Sequence, residues 1–125
     1  MTITKELLRE KFDVFNERYF EGKLAVPAFL FMTGRMGLFG KYRDWGNGPL
    51  IYINKSYDLS EQDLDDLLVH EMIHYYMATV LKRDPFFSHG LLFRRIRRRI
   101  REQGQEVHIH YRHLENKVRG RSRRS

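Results

Sequence analysis

Residues 60–81 read SEQDLDDLLVHEMIHYYMATVL, and the spacing of their apolar side chains predicts a helix. Ser60 is suited to cap it, Glu61 and Asp63 put acidic charge in its first turn, and Leu64, Leu67, Leu68, Tyr75 and Ala78 recur at helical intervals to about Leu81. Inside it lies His70-Glu71-Met72-Ile73-His74, the HExxH pattern. Residues four apart share a helix face, so both imidazoles can reach one zinc ion, while Glu71 is offset toward a water beside that ion. In such a site the metal acidifies the water and polarises a scissile carbonyl, and the glutamate takes the proton and returns it to the leaving amine. With six His and nine Glu in 125 residues, the pattern is expected by chance only about 0.02 times.

A catalytic zinc usually takes three protein ligands. There is no cysteine, so disulfides, thiolate ligands and a catalytic thiol are excluded and the third ligand must be His, Asp or Glu. One common arrangement places a histidine six residues after the second, but position 80 is Val80. Another uses a glutamate from a following helix, and the first one available, Glu102, lies beyond an arginine-rich apolar stripe. His89 is better placed, fifteen residues after His74 and just before Gly90, where a third helix is expected to begin. His108 and His110, which share one face of an expected strand, stay open as alternatives, as does His113.

Outward from this helix the chain reads as α+β. Leu8, Phe12, Phe15 and Tyr19 predict a first helix over 5–20, stopped at Gly22. Residues 24–33, 36–43 and 50–54, separated by glycine- and proline-rich turns, predict a three-stranded antiparallel sheet. Asp84-Pro85 should break the helical run after the second helix. Phe93, Ile96 and Ile100 form a narrow apolar stripe among six arginines in a basic helix over 90–103, ended by Gly104. Val107, Ile109 and Tyr111 alternate with polar residues and predict a short closing strand.

No run is long and apolar enough to span a membrane and no secretory signal opens the chain, so the expected address is cytoplasmic and no membrane partner is expected. The formal charge of +7 is distributed unevenly. Residues 1–93 carry a net −2 and residues 94–125 a net +9. Such a basic block is suited to polyanions, nucleic acid first among them. Arg94, Arg98, Arg101, Arg119 and Arg121 are the candidate phosphate contacts, and Trp45, Phe86 and Phe87 are loop aromatics able to stack on bases.

These residues together resemble the SprT-like, or Spartan-like, zinc metalloprotease domains. The resemblance runs over about residues 5–113, through Phe15-Asn16, Tyr19-Phe20, Gly22-Lys23-Leu24, Arg35-Met36, Ile51-Tyr52-Ile53-Asn54, the zinc helix, and His89-Gly90 followed by Phe93. It implies a small zincin-like α+β fold in which His70, His74 and His89 bind Zn2+ and Glu71 is the catalytic base. It also implies a protein substrate, with proteins crosslinked to DNA as the best known class, and single-stranded or distorted DNA as a partner. Many bacterial relatives continue into a cysteine-containing zinc ribbon, for which this chain has no cysteine. The expected organisation is a metallopeptidase domain over 1–113 and a basic, disordered tail over 114–125. The alternative is a non-catalytic, zinc-containing nucleic-acid-binding module, against which Glu71 argues, because a structural zinc has no use for it.

Overall fold

Thr4 accepts a hydrogen bond from the Leu7 amide at 3.1 Å and caps the first helix, α1 (Lys5–Phe20), in the computed structural model, which describes residues 1–82 and 89–119. The helix stops where Glu21 and Gly22 turn left-handed, at φ 55° and 67°. Leu8 and Phe12 point inward from it and are fully buried. The return toward the sheet hangs on Asn16, which is 9% exposed. Its amide donates to the Leu24 carbonyl at 2.9 Å and accepts from the Leu24 N–H at 3.1 Å. Asn16→Ala strands both of these buried groups, at about 1–3 kcal/mol each. Urea unfolding should therefore show a loss of about 2–4 kcal/mol, with an unchanged slope on denaturant.

Three strands follow, β1 (Ala28–Met32), β2 (Gly40–Asp44) and β3 (Pro49–Asn54), ordered β1-β3-β2. The sheet is mixed, which corrects the antiparallel expectation: β2 runs antiparallel to β3, but β1 runs parallel to it, with Phe29 beside Ile51 and Met32 beside Asn54. The reason lies in residues 33–39, which cross over the end of β3 and do not make a tight hairpin. Asn54 anchors that crossing, its side-chain amide donating to the carbonyls of Gly34 and Leu38 at 2.7 Å each. The apolar run Leu50-Ile51-Tyr52-Ile53 takes the central position, with Ile51 and Ile53 fully buried. This leaves β2 as an edge strand.

Ser60 and Asp63 form a reciprocal capping box at the start of α2 (Glu61–Thr79), which contains the HExxH residues. Lys11 ties α1 to this end of α2, reaching Glu61 at 2.9 Å and Asp65 at 2.7 Å. The inner face of the sheet packs on α1 and α2, and α3 (Leu91–Glu102) packs on α2. Phe93, Ile96 and Ile100 are the buried face of α3, so the apolar stripe belongs to the core. Asp84 and Pro85 lie outside the described residues.

Residues 107–111 form no strand, contrary to the alternation read from sequence. Their backbone groups are taken by side chains of the helices: Arg97 donates to the Val107 carbonyl, Asp66 accepts from the His108 N–H, and the His108 carbonyl accepts from His70. A short 3-10 turn follows at Arg112–Leu114. Residues 114–119, within the stretch read as a tail, contact the domain. Leu114 is fully buried, Val118 bridges to Tyr57, and the Asp58 and Arg119 amides bond to Lys117 and Ser56 carbonyls. Residues 120–125 lie outside the described residues. Among the described residues no helix is long and apolar enough to cross a membrane.

Candidate metal centre

Helix α2 aligns His70 and His74 on one face, and their Nε2 atoms stand 3.2 Å apart. His89, just ahead of the first turn of α3, adds a third Nε2 at 3.1 Å from that of His74 and 3.3 Å from that of His70. Phe93, fully buried one turn into α3, seats the cluster, its ring centre 4.9 Å from both α2 imidazoles and 5.0 Å from His89. Zinc–nitrogen bonds of about 2.0–2.1 Å in a tetrahedron require ligand nitrogens about 3.3 Å apart. The triangle of 3.1–3.3 Å therefore fits a zinc ion. Among the described residues these three form the only group of three or more His, Asp or Glu side chains able to hold a metal.

The protonation pattern agrees with that use. The Nδ1 of His70 lies 2.8 Å from the His108 carbonyl, which can only accept, so the ring carries its proton on Nδ1 and turns a lone pair on Nε2 toward the cluster. Burial pushes His70 down to about 4 and His74 to about 3, which favours their neutral forms, and lowers His89 as well.

Glu71, only 5% exposed, faces the start of β2. A Cβ at Gly40 would press on the Tyr52 carbonyl oxygen at 3.0 Å and stand in ordinary contact with Glu71 Oε2 at 3.5 Å, so the tight approach here is to the backbone of β3. Burial pushes the Glu71 carboxyl up to about 8, opposed by the Arg43 guanidinium and the Tyr42 backbone. Glu71, His70 and His89 line one cleft of about 320 Å³, walled by Gly37 to Gly40 on one side and by Ile109 to Arg112 on the other. The Glu71 carboxyl and two of the three imidazoles thus line a common space, with His74 Nε2 within 3.2 Å of both of their Nε2 atoms.

A match to the SprT-like family model covers residues 8–113. The chain belongs to the SprT-like family. The comparison with curated proteins gave no match. The SprT-like match takes in α1 from Leu8 onward, the sheet, α2, α3 and the segment behind His70, and ends one residue before the buried Leu114. Family membership and the three-histidine cluster agree on a metallopeptidase-like domain.

The other histidines do not join the cluster. His108 donates its N–H to Asp66 Oδ1 at 2.8 Å and places Nδ1 2.5 Å from Asp66 Oδ2. His113 lies against the His108 ring at 4.2 Å, and the His110 ring stands 6.0 Å from His89 at the cleft. Tyr111 commits its hydroxyl to Asp66 Oδ1 at 2.6 Å. Burial and the adjacent Asp66 raise that phenol above its ordinary range. Sequence reasoning passed over Asp66, whose one signal is its place four residues before His70.

The basic residues divide by role. Arg94, Arg98 and Arg101 line a groove of about 600 Å³ along α3, together with Glu102 and Glu106. Arg94 also donates to the His89 carbonyl at 3.3 Å, and Arg101 pairs with Glu106 at 3.0 Å. Arg99 is structural, donating to the Tyr19 carbonyl at 2.8 Å. Arg119 stays exposed while donating to the Lys55 carbonyl at 3.3 Å and lying 3.8 Å from Asp58. Arg121, Phe86 and Phe87 lie outside the described residues, whereas Trp45 is 71% exposed on the turn between β2 and β3.

Proposed function

We propose that this domain is a zinc-dependent metallopeptidase in which His70, His74 and His89 hold the metal and Glu71 is the general base. The observation that carries the reading is the buried Glu71 side chain sharing one cleft with His70 and His89, two corners of a tetrahedral-sized triangle of imidazole nitrogens that His74 completes. Zinc, when bound, would supply a Lewis acid that polarises the scissile carbonyl and acidifies the attacking water. Glu71 takes the proton from that water and delivers it to the departing amine. The cleft runs beside the start of β2, whose unpaired edge offers backbone donors and acceptors to an extended substrate segment. Such a site suits flexible protein chains. Purified protein should carry one zinc and cut an unfolded protein substrate, lose both on treatment with a chelator, and regain both on zinc addition. Absence of cleavage by the zinc-loaded protein, with and without DNA, would favour the non-catalytic nucleic-acid-binding reading.

DNA association is the second part of the proposal, supported by the exposed arginines of the α3 groove. Phosphate contacts release counterions, so affinity for a single-stranded oligonucleotide should fall steeply with salt. Reversing Arg94, Arg98 and Arg101 to Glu should lower the log–log salt slope by about 2, at roughly 0.7 per lost contact. Removing residues 120–125 deletes Arg121, Arg123 and Arg124 and should flatten the slope by no more than about 2, at roughly 0.7 per contact. Fluorescence anisotropy at several salt concentrations reads both. No binding at low salt removes nucleic acid from the proposal and leaves the peptidase untouched.

A further inference from the structure

Residue 108 lies across one turn of α2. Its N–H donates to Asp66 Oδ1 and its carbonyl accepts from His70 Nδ1, both at 2.8 Å, and Asp66 and His70 are four residues apart on one helix face. The geometry points to Asp66 as the residue that positions His70 for metal binding, acting through the backbone of His108. This rests on the metal site proposed above.

Residues 107–111 form no strand. A strand would be held in place by a ladder of backbone hydrogen bonds, whereas this segment depends on side chains. Asp66 is 4% exposed and receives three donors: the N–H of His108, the Nδ1 of His108 at 2.5 Å, and the Tyr111 hydroxyl at 2.6 Å. One carboxylate therefore pins the segment at both 108 and 111. A buried carboxylate needs that many donors to be tolerated, so the arrangement is mutually enforced.

What the pin controls is a single oxygen. With the His108 carbonyl fixed, His70 must keep its proton on Nδ1 and present the Nε2 lone pair to His74 and His89. If the carbonyl drifts, the His70 ring is free to rotate or to carry its proton on Nε2, where it blocks the third corner of the triangle. Asp66 touches neither metal nor substrate in this scheme, so it is a positioning residue.

The test reads the His70 tautomer by long-range 1H–15N correlation in the metal-free protein, and zinc affinity by chelator competition. Wild type should show His70 protonated on Nδ1. Asp66→Ala should give a mixture of tautomers and a ten- to hundredfold loss of zinc affinity, the range typical of losing a supporting hydrogen bond behind a metal ligand. Its cobalt-substituted form should show an altered visible spectrum. Asp66→Asn keeps an acceptor for the His108 N–H and should stay close to wild type in all three, a rescue that a bulk folding defect would not give. Locked His70 and unchanged zinc affinity in Asp66→Ala would overturn the inference. So would an Nε2-protonated His70 in the wild type, which decides the matter even if Asp66→Ala does not fold. Failure of the metal reading itself looks different: wild type then takes up no zinc, while the tautomers still decide the relay, a mixture in Asp66→Ala against a locked wild type supporting it and a locked His70 in both overturning it.

Discussion

Glu71→Gln should leave zinc content unchanged and lower peptide-bond hydrolysis by about two to four orders of magnitude, the range that a positioned general base contributes. The amide matches the carboxylate in size and fits the same space beside Gly40. It cannot accept the proton from the attacking water, so the loss should fall on kcat, with KM little changed. The fold should tolerate the change because, without metal, burial holds the Glu71 carboxyl up at about 8 and so favours its neutral form, whereas a bound dication would favour the carboxylate that a base requires. In the metal-free state, the Gln variant should then melt no lower than wild type, since an uncharged amide replaces a carboxyl whose ionisation burial opposes. Metal analysis, steady-state kinetics and thermal unfolding check the three parts separately. Full activity in Glu71→Gln would remove Glu71 from the chemistry, and loss of zinc would make its role structural.

The parts legible in the sequence were those whose signal is local. Helix α2 announces itself through a capping residue, an acidic first turn and a helical apolar period, and the HExxH residues inherit their geometry from it. The direction of β1 was not legible, because a buried strand has the same composition whether its neighbour runs parallel or antiparallel. That choice was made by the crossing at 33–39 and by Asn54, which meets Gly34 and Leu38 only in three dimensions. At 107–111 the alternation reported real burial, since Val107 and Tyr111 are buried and Ile109 packs against the core. It was misread as a ladder because an extended segment packed on a helix shows the same period of two. Asp66 was invisible for another reason. Beside Asp63 and Asp65 it looks like one more acid on a solvated helix, and only the fold shows that its neighbours are a backbone amide, an imidazole and a phenol. The arginines of α3 divided in the same way, since composition cannot tell Arg99, spent on a carbonyl of α1, from Arg98 in the open groove.

His89→Ala should cost the protein its zinc altogether under conditions in which the wild type stays fully loaded. Of the three nitrogens this one comes from outside α2, and its position depends on α3 being docked through Phe93, Ile96 and Ile100. Those contacts do not involve the His89 ring nitrogens, so the variant should fold with α3 in place and with His70 and His74 still 3.2 Å apart. Two neutral imidazoles leave half of a tetrahedral shell to water. The fall in affinity should therefore exceed the ten- to hundredfold expected for Asp66→Ala, where all three ligands remain and only the orientation of one is loosened. The contrast among histidines sharpens the test. His110→Ala and His113→Ala should keep full zinc, because neither ring belongs to the triangle, although the His110 ring stands only 6.0 Å from His89. His108→Ala should keep most of it, since its backbone carbonyl, the atom that meets His70, survives the substitution. Zinc measured after dialysis against a weak chelator ranks all four. A fully loaded His89→Ala, together with a His108 or His110 variant emptied of metal, would transfer the third ligand to the other side of the cleft.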